Sequence, residues 1–171
     1  RIADSSTIDA RAQKNLRRLE RAMIALCDAV VAVSAVDRAS LISAGVSRKK
    51  IEVIPHGVDS ENYRALDGDA VRARYGIPSG AFVLVYHGVL HYGPNRDAAL
   101  RLVKGVLPAL RAQGRDVRLM LVGMNPPDEC AAEGVITTGA VPDLPAHLGA
   151  ADCAVVALRG GGGTRMKILE Y

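Results

Sequence analysis

The chain has 171 residues, enough for one substantial core, and with no Trp and a single Phe that core must be filled by Val, Leu, Ala and Ile. The formal charge of +4 comes wholly from residues 1–58, where ten Lys/Arg face six Asp/Glu, while the remainder holds twelve of each, which excludes a nucleic-acid binder with a basic groove across a complete domain. No apolar run approaches the ~18 residues of a membrane span and no signal peptide is visible; Cys27, Cys130 and Cys153, odd in number and each beside an apolar stretch, are expected to be buried, reduced thiols of a cytosolic protein.

The spacing of Ala12, Leu16, Leu19, Met23 and Leu26 predicts a helix from about Ile8 to Cys27. Arg11, Lys14, Arg18 and Arg21 make a second stripe on another face. It could meet anionic phospholipid headgroups at the inner face of a plasma membrane; a solvated helix face is the simpler reading. Residues 28–34 predict a buried strand ending in Ser34, followed by a helix through about Ala44 with Gly45 past its end. Ile51-Glu52-Val53-Ile54 is a short strand closed by Pro55. Strands alternating with helices predict parallel βα units, and two strands alone make an incomplete sheet.

Residues 58–80 are polar and glycine-rich and read as a linker with one short helix near Ala70–Tyr75. Asp67-Gly68-Asp69 spells the D-x-D of metal-dependent sugar transferases, but directly before a helix it reads as a cap. After the linker the alternation restarts: strand 82–87, helix about 95–112, strand 117–122, short strand 135–137, helix near 144–149 and strand 153–158. The four histidines show no metal-ligand spacing. His87 and His91 flank a strand end where ligands of open α/β sheets gather, and His91 reads equally as a contact or an ordinary histidine.

The last strand runs into Gly160-Gly161-Gly162-Gly163-Thr164-Arg165-Met166-Lys167. Glycines let backbone approach a ligand, and Arg165 and Lys167 add positive charge, so the turn suits a phosphate or diphosphate; a plain strand-to-helix turn is the alternative. A Walker loop is excluded because Thr164-Arg165 stands where Gly-Lys-Ser/Thr would close it. A dinucleotide fold is excluded by the spacing of Gly88 and Gly93 and by the lack of a carboxylate after Gly123. Glycine-bearing turns follow all four strands of this second sheet, at Gly88–Asn95, Gly123–Pro127, Gly139–Asp143 and Gly160–Lys167. Their convergence marks a nucleotide or phosphate site.

Together these stretches resemble the retaining GT-B-fold glycosyltransferases of the family-4 type. The similarity is carried by the strand ending in Ser34, by Ile51-Glu52-Val53-Ile54-Pro55-His56-Gly57-Val58-Asp59, by Tyr92-Gly93-Pro94-Asn95, by Gly123-Met124-Asn125-Pro126-Pro127 and Gly139-Ala140-Val141-Pro142-Asp143, and by Gly161–Glu170. The later segments are similar to a subgroup acting in bacterial exopolysaccharide synthesis. The resemblance implies an α/β, GT-B-like fold of two Rossmann-like parallel-sheet domains, the first incomplete and the second truncated at its C-terminus. Residues 1–57 would end the acceptor-side domain, 58–80 would link, and 81–171 would bind the donor.

By the same resemblance, a nucleoside-diphosphate sugar is bound without metal or other cofactor, and its sugar passes with retention to a glycan or lipid-linked acceptor. Donor-binding candidates are Gly88, His91, Asn95, Val141 against the base, Gly161, Gly162, Gly163 and Thr164 at the diphosphate, Arg165, Lys167, and Glu170 on the ribose hydroxyls. Arg165 and Lys167 are also the candidates for neutralising the departing diphosphate. Three departures stand out. Gly162 occupies the place of the family's first glutamate, Val89 and Pro94-Asn95 stand where a basic pair is usual, and most of the acceptor domain is missing. A fragment inactive alone is therefore expected, and the alternative is a non-catalytic nucleotide- or phosphate-binding module of the same ancestry.

Overall fold

A computed structural model describes residues 10–64, 66–159 and 164–171. Among these the chain forms two compact units: residues 10–58 with 164–166, and residues from 59 onward through 159 with 167–171.

In the first unit, α1 (Ala10–Leu26) leads to β1 (Val30–Ala32), α2 (Ala35–Ser43) and β2 (Ile51–Val53). The strands pair in parallel, Val30 opposite Ile51 and Ala32 opposite Val53. Ser34 starts α2 because its hydroxyl accepts the Asp37 amide at 3.0 Å, and it donates back to the Asp37 carboxylate at 2.5 Å. Lys50 ends α1: its ammonium donates to the carbonyls of Ile24 at 2.8 Å and Ala25 at 3.3 Å, where unpaired carbonyls and the negative helix end favour a cation. The predicted apolar stripe of α1 forms, but Leu16, Leu19, Met23 and Leu26 are exposed.

The second unit holds α3 (Asp69–Arg74), β3 (Phe82–His87), α4 (Gly93–Arg101), α5 (Leu107–Arg111), β4 (Val117–Val122), β5 (Val135–Gly139), α6 (Leu144–Gly149), β6 (Cys153–Ala154) and the end of α7 (Met166–Glu170). Its sheet is wholly parallel, in the order β5-β4-β3-β6. β3 and β4 are central, covered on both faces, and accordingly read as nearly continuous apolar runs, interrupted in β4 only by Arg118 near its start. Alternation sends Leu84 and Tyr86 to one face, with Leu90, Leu102, Leu119 and Leu121, and sends Val83 and Val85 to the other, with Val71, Met120, Leu148 and Ala150.

α4 and α5 are one helical run joined by a π-helical turn over Leu102–Val106. The extra residue shifts the buried face by one position, so Leu107 is buried while Val106 is partly exposed. Asp143 caps α6 through its carboxylate, which accepts the Ala146 amide at 2.9 Å. At α3 the N-cap position is Gly68, which has no side chain to cap with; Asp67, one residue earlier, accepts the Asp69 amide at 3.0 Å in a turn, so the cap expected of Asp67-Gly68-Asp69 is not formed at the cap position itself. The buried His147 donates Nδ1–H to the Asp143 carbonyl at 2.6 Å, so its Nε2 is left to accept from the Tyr75 hydroxyl at 3.5 Å.

Two expectations are corrected. Of the cysteines only Cys130 is buried; Cys27 and Cys153 are exposed, Cys27 just past α1 and Cys153 at the start of a two-residue edge strand. The apolar run 153–158 is a strand only at Cys153 and Ala154; Val155 still donates its amide to the Val85 carbonyl at 2.9 Å, and beyond it Ala157 and Leu158 pack on the core without strand pairing. Hydrophobicity records burial there, not pairing.

Candidate functional site

The chain runs from β3 outward to β4 and β5, then returns to place β6 on the other side of β3. Ligands of open α/β sheets bind at the C-terminal strand ends where that order reverses. Here the position is the end of β3, and Tyr86, His87 and Gly88 occupy it.

Three successive loops are stitched together at this end of the sheet. Gly88 donates its amide to Val122 at 2.9 Å, Leu90 donates to Met124 at 3.1 Å, and Gly123 donates to Gly139 at 2.9 Å. Gly88 has φ 150° and Gly123 φ 144°. A side chain at Gly88 would meet Asn95 Nδ2 at 2.9 Å and Lys167 Nζ at 3.3 Å, so beyond its strained φ it would displace the ends of these two side chains.

Beneath Gly88 lies a polar node. The Tyr86 hydroxyl donates to Asn95 Oδ1 at 2.8 Å, and Asn95 Nδ2 donates to the Val89 carbonyl at 3.1 Å. Lys167 reaches across from α7 and donates to the Tyr86 hydroxyl at 3.2 Å, the His87 carbonyl at 2.9 Å and Asn95 Oδ1 at 3.3 Å. Its Nζ also stands 4.3 Å from the Tyr86 ring centroid. Burial pushes the Tyr86 phenol up to about 12, so it is a neutral donor at physiological pH.

A second group lies beside the node. His87 Nε2 stands 3.1 Å from Glu170 Oε2, close enough for an ion pair but off the hydrogen-bonding axis, and this buried nitrogen has no hydrogen bond. Burial, and then the Lys167 charge, lower the His87 pKa to about 4, so the imidazole is neutral. Tyr171 packs edge-on against it, ring centroids 5.3 Å apart, and donates its hydroxyl to the Val155 carbonyl at 3.4 Å. Burial raises the Tyr171 pKa, and burial followed by the Glu170 charge raises that of Tyr63.

Of the residues singled out in the sequence, Gly88, Asn95, Lys167 and Glu170 are thus gathered at the end of β3. His91 contacts Asn125 there, Nδ1 to Nδ2 3.3 Å. Val141 packs on the cluster around Val83 and Val85. Gly161, Gly162 and Gly163 lie outside the described residues, and Thr164 and Arg165 group with the first unit. Gly123 contributes from one of the glycine-bearing turns expected there, whereas Tyr86 and Tyr171 contribute without having been foreseen. Tyr86 reads as a core strand residue, and only the polar tip of an otherwise apolar segment could have flagged it. Among the described residues no His, Cys, Asp and Glu form a cluster able to hold a metal, and no helix is long and apolar enough to cross a membrane.

Comparison with known proteins gives this geometry its context. Residues 81–171, more than half of the chain, match the family model described as "Glycosyl transferases group 1", and residues 6–62 match "Glycosyltransferase Family 4". The chain is 35% identical over 91 residues to D-inositol 3-phosphate glycosyltransferase 1 of Catenulispora acidiphila, covering 53% of this chain and 22% of that protein. It is 31% identical over 105 residues to D-inositol 3-phosphate glycosyltransferase of Nocardia farcinica, covering 61% of this chain and 23% of that one. It therefore spans less than a quarter of the length of these curated relatives.

Among solved structures, Anabaena HepE in complex with UDP superposes with a TM-score of 0.73 at 20% identity, over 99% of this chain and 48% of HepE. WaaG, a glycosyltransferase involved in lipopolysaccharide biosynthesis, superposes with a TM-score of 0.63 at 15% identity, over 89% of this chain and 44% of WaaG. At such identities the likeness establishes the fold: α/β with parallel sheets, matching about half of a GT-B glycosyltransferase, as expected from the sequence. With the family model spanning residues 81–171, the chain belongs to the group 1 glycosyl transferases.

Proposed function

We propose that this chain carries the donor-binding part of a glycosyltransferase that moves a sugar from a nucleoside diphosphate to a glycan or lipid-linked acceptor with retention. The observation that carries the reading is the convergence of Gly88, Lys167 and Glu170 at the end of β3, where the strand order reverses. Departure of a nucleoside diphosphate leaves negative charge, which fixed donors and cations stabilise. Gly88 itself adds no side chain over the Asn95 amide and the Lys167 ammonium. Glu170, about a quarter exposed, can turn a carboxylate oxygen to the ribose hydroxyls. The sequence supplies Gly161, Gly162, Gly163, Thr164 and Arg165 for the diphosphate and Val141 for the base. HepE, whose solved complexes include UDP-glucose, supports the donor class, and the similarity of the later motifs supports membership of an exopolysaccharide subgroup.

The test is titration of the 171-residue chain with UDP, GDP and ADP while amide resonances are followed. Gly88, Lys167 and Glu170 should shift with one of these ligands, and no response to any of them overturns the proposal. Arg165→Ala should weaken nucleotide binding about tenfold through loss of a charge-assisted contact. A specific observation favours a second reading. Gly162 stands in place of the family's first glutamate, as it would in a module that binds nucleotide without transferring sugar. Bound nucleotide with no hydrolysis or transfer of any sugar donor by the full-length protein would select that module. The basic stripe Arg11, Lys14, Arg18 and Arg21 gives α1 a face for anionic headgroups. Liposome sedimentation unchanged by neutralising all four would remove that contact.

A further inference from the structure

The polar node accounts for Lys167, Tyr86 and Asn95, but it leaves the His87 side chain unused. His87 is the last residue of β3, its side chain mostly buried and its carbonyl fixed by Lys167 Nζ at 2.9 Å. The Tyr171 ring holds the imidazole plane edge-on, and Tyr171 is itself fixed by its amide, which donates to the Lys167 carbonyl at 3.1 Å. A ring so confined fixes the place of Nε2, 3.1 Å from Glu170 Oε2. A neutral imidazole 3.1 Å from a carboxylate oxygen must present N–H there, because a lone pair facing an anion would repel it. The pair has the length of a hydrogen bond and lacks only alignment, so a modest rotation of the Glu170 carboxylate completes it.

We infer that His87 is a positioning residue for Glu170: its neutral Nε2–H anchors one carboxylate oxygen, so that the other is presented to the vicinal hydroxyls of a nucleotide ribose. This rests on the reading above that Glu170 holds the ribose. A buried donor left without a partner is costly, and closing the bond when ribose engages the second oxygen ties that cost to nucleotide recognition. His87 then acts on specificity for the sugar of the nucleotide without touching it. The charged and titratable groups around it are Lys167, Glu170, Tyr86 and Tyr171, with Tyr63 beyond Glu170, so the arrangement holds a neutral ring against one carboxylate.

The experiment compares the affinity of the 171-residue chain for UDP, GDP and ADP with that for the 2′-deoxy counterpart of each. His87→Leu should cut the preference for ribose about tenfold, as expected for one hydrogen bond to a charged group. His87→Gln, whose amide nitrogen can stand near the place of Nε2, should keep the preference within about threefold of the natural protein. In the natural protein, nitrogen-15 spectra should show His87 as the Nε2–H tautomer, with that proton moving downfield when nucleotide binds. This second measurement decides the matter even if His87→Leu fails to fold. A ribose preference untouched by His87→Leu but collapsed by Glu170→Gln, or an Nδ1–H tautomer, overturns the role of His87 and leaves the donor reading standing. A preference untouched by Glu170→Gln overturns the donor role of Glu170 itself.

Discussion

Gly123 has no room for a side chain, because the carbonyl oxygen of Gly88 lies 1.8 Å from where its Cβ would be. The loops after β3 and β4 therefore touch backbone to backbone. Two peptide groups in such contact cannot yield as the end of a long side chain can. Gly123→Ala must both adopt φ 144° and push the Gly88 loop away. A loss of roughly 3 kcal/mol is expected in denaturant unfolding. Nucleotide binding should fall with it, since Gly88 moves. A variant within about 0.5 kcal/mol of the natural protein would contradict the contact.

Lys167 should be important to the fold as well as to any ligand. Lys167→Met keeps much of the stem but leaves the Tyr86 hydroxyl, the His87 carbonyl and Asn95 Oδ1 without the ammonium. The expected cost is about 2 kcal/mol. Tyr86→Phe should cost about 1 kcal/mol alone, and the double variant less than the sum, because both changes remove the same bond. Strict additivity in that cycle would mean that the node does not hold in solution.

The pH dependence of stability follows from His87. Its folded pKa of about 4 lies below the ordinary histidine value, so the unfolded chain takes up a proton first as pH falls. Stability from this group is complete above about pH 6.5, declines as pH falls, and is lost by about pH 4, up to roughly 3 kcal/mol. His87→Gln should flatten this part of the profile. A profile with the same slope in both proteins would assign the titration elsewhere.

Arg72 and Asp152 close the other end of the sheet. Arg72 donates to the carbonyls of Ala150 at 2.9 Å and Ala81 at 3.2 Å and to Asp152 Oδ2 at 2.8 Å, and that same oxygen accepts the buried Val83 amide at 2.7 Å. Asp152→Ala strands both donors and should cost about 3 kcal/mol. Asp152→Asn should be milder, since its amide oxygen can still accept from Val83. Equal losses in the two variants would argue against the carboxylate's part in the network.

How legible all this is from sequence varies by element. β3 and β4 are plain because burial on both faces leaves apolar runs, Val83 to Val85 and Leu119 to Val122, too dense for a loop. The helix after β3 is visible, but its π turn is not: a shift of the buried face from Val106 to Leu107 is one residue in a pattern that tolerates such slips. The glycine-bearing turns mark the site, since backbone that must approach something has few residues to choose from. The node is invisible, because Tyr86 and Lys167 are far apart along the chain and nothing in either neighbourhood names the other. The polar segment 58–80 reads as a joint, and its composition hides that Val71 is core and that Arg72 is a clamp.

That clamp separates two borders that are easily confused. Homology to the group 1 family begins at residue 81, whereas the compact unit begins at Asp59, and a guanidinium on α3 ties it in by donating to two carbonyls and a carboxylate at the foot of the sheet. Anyone swapping this unit between relatives should place the seam near residue 58. A splice at the homology border would import a sheet and leave its keystone behind.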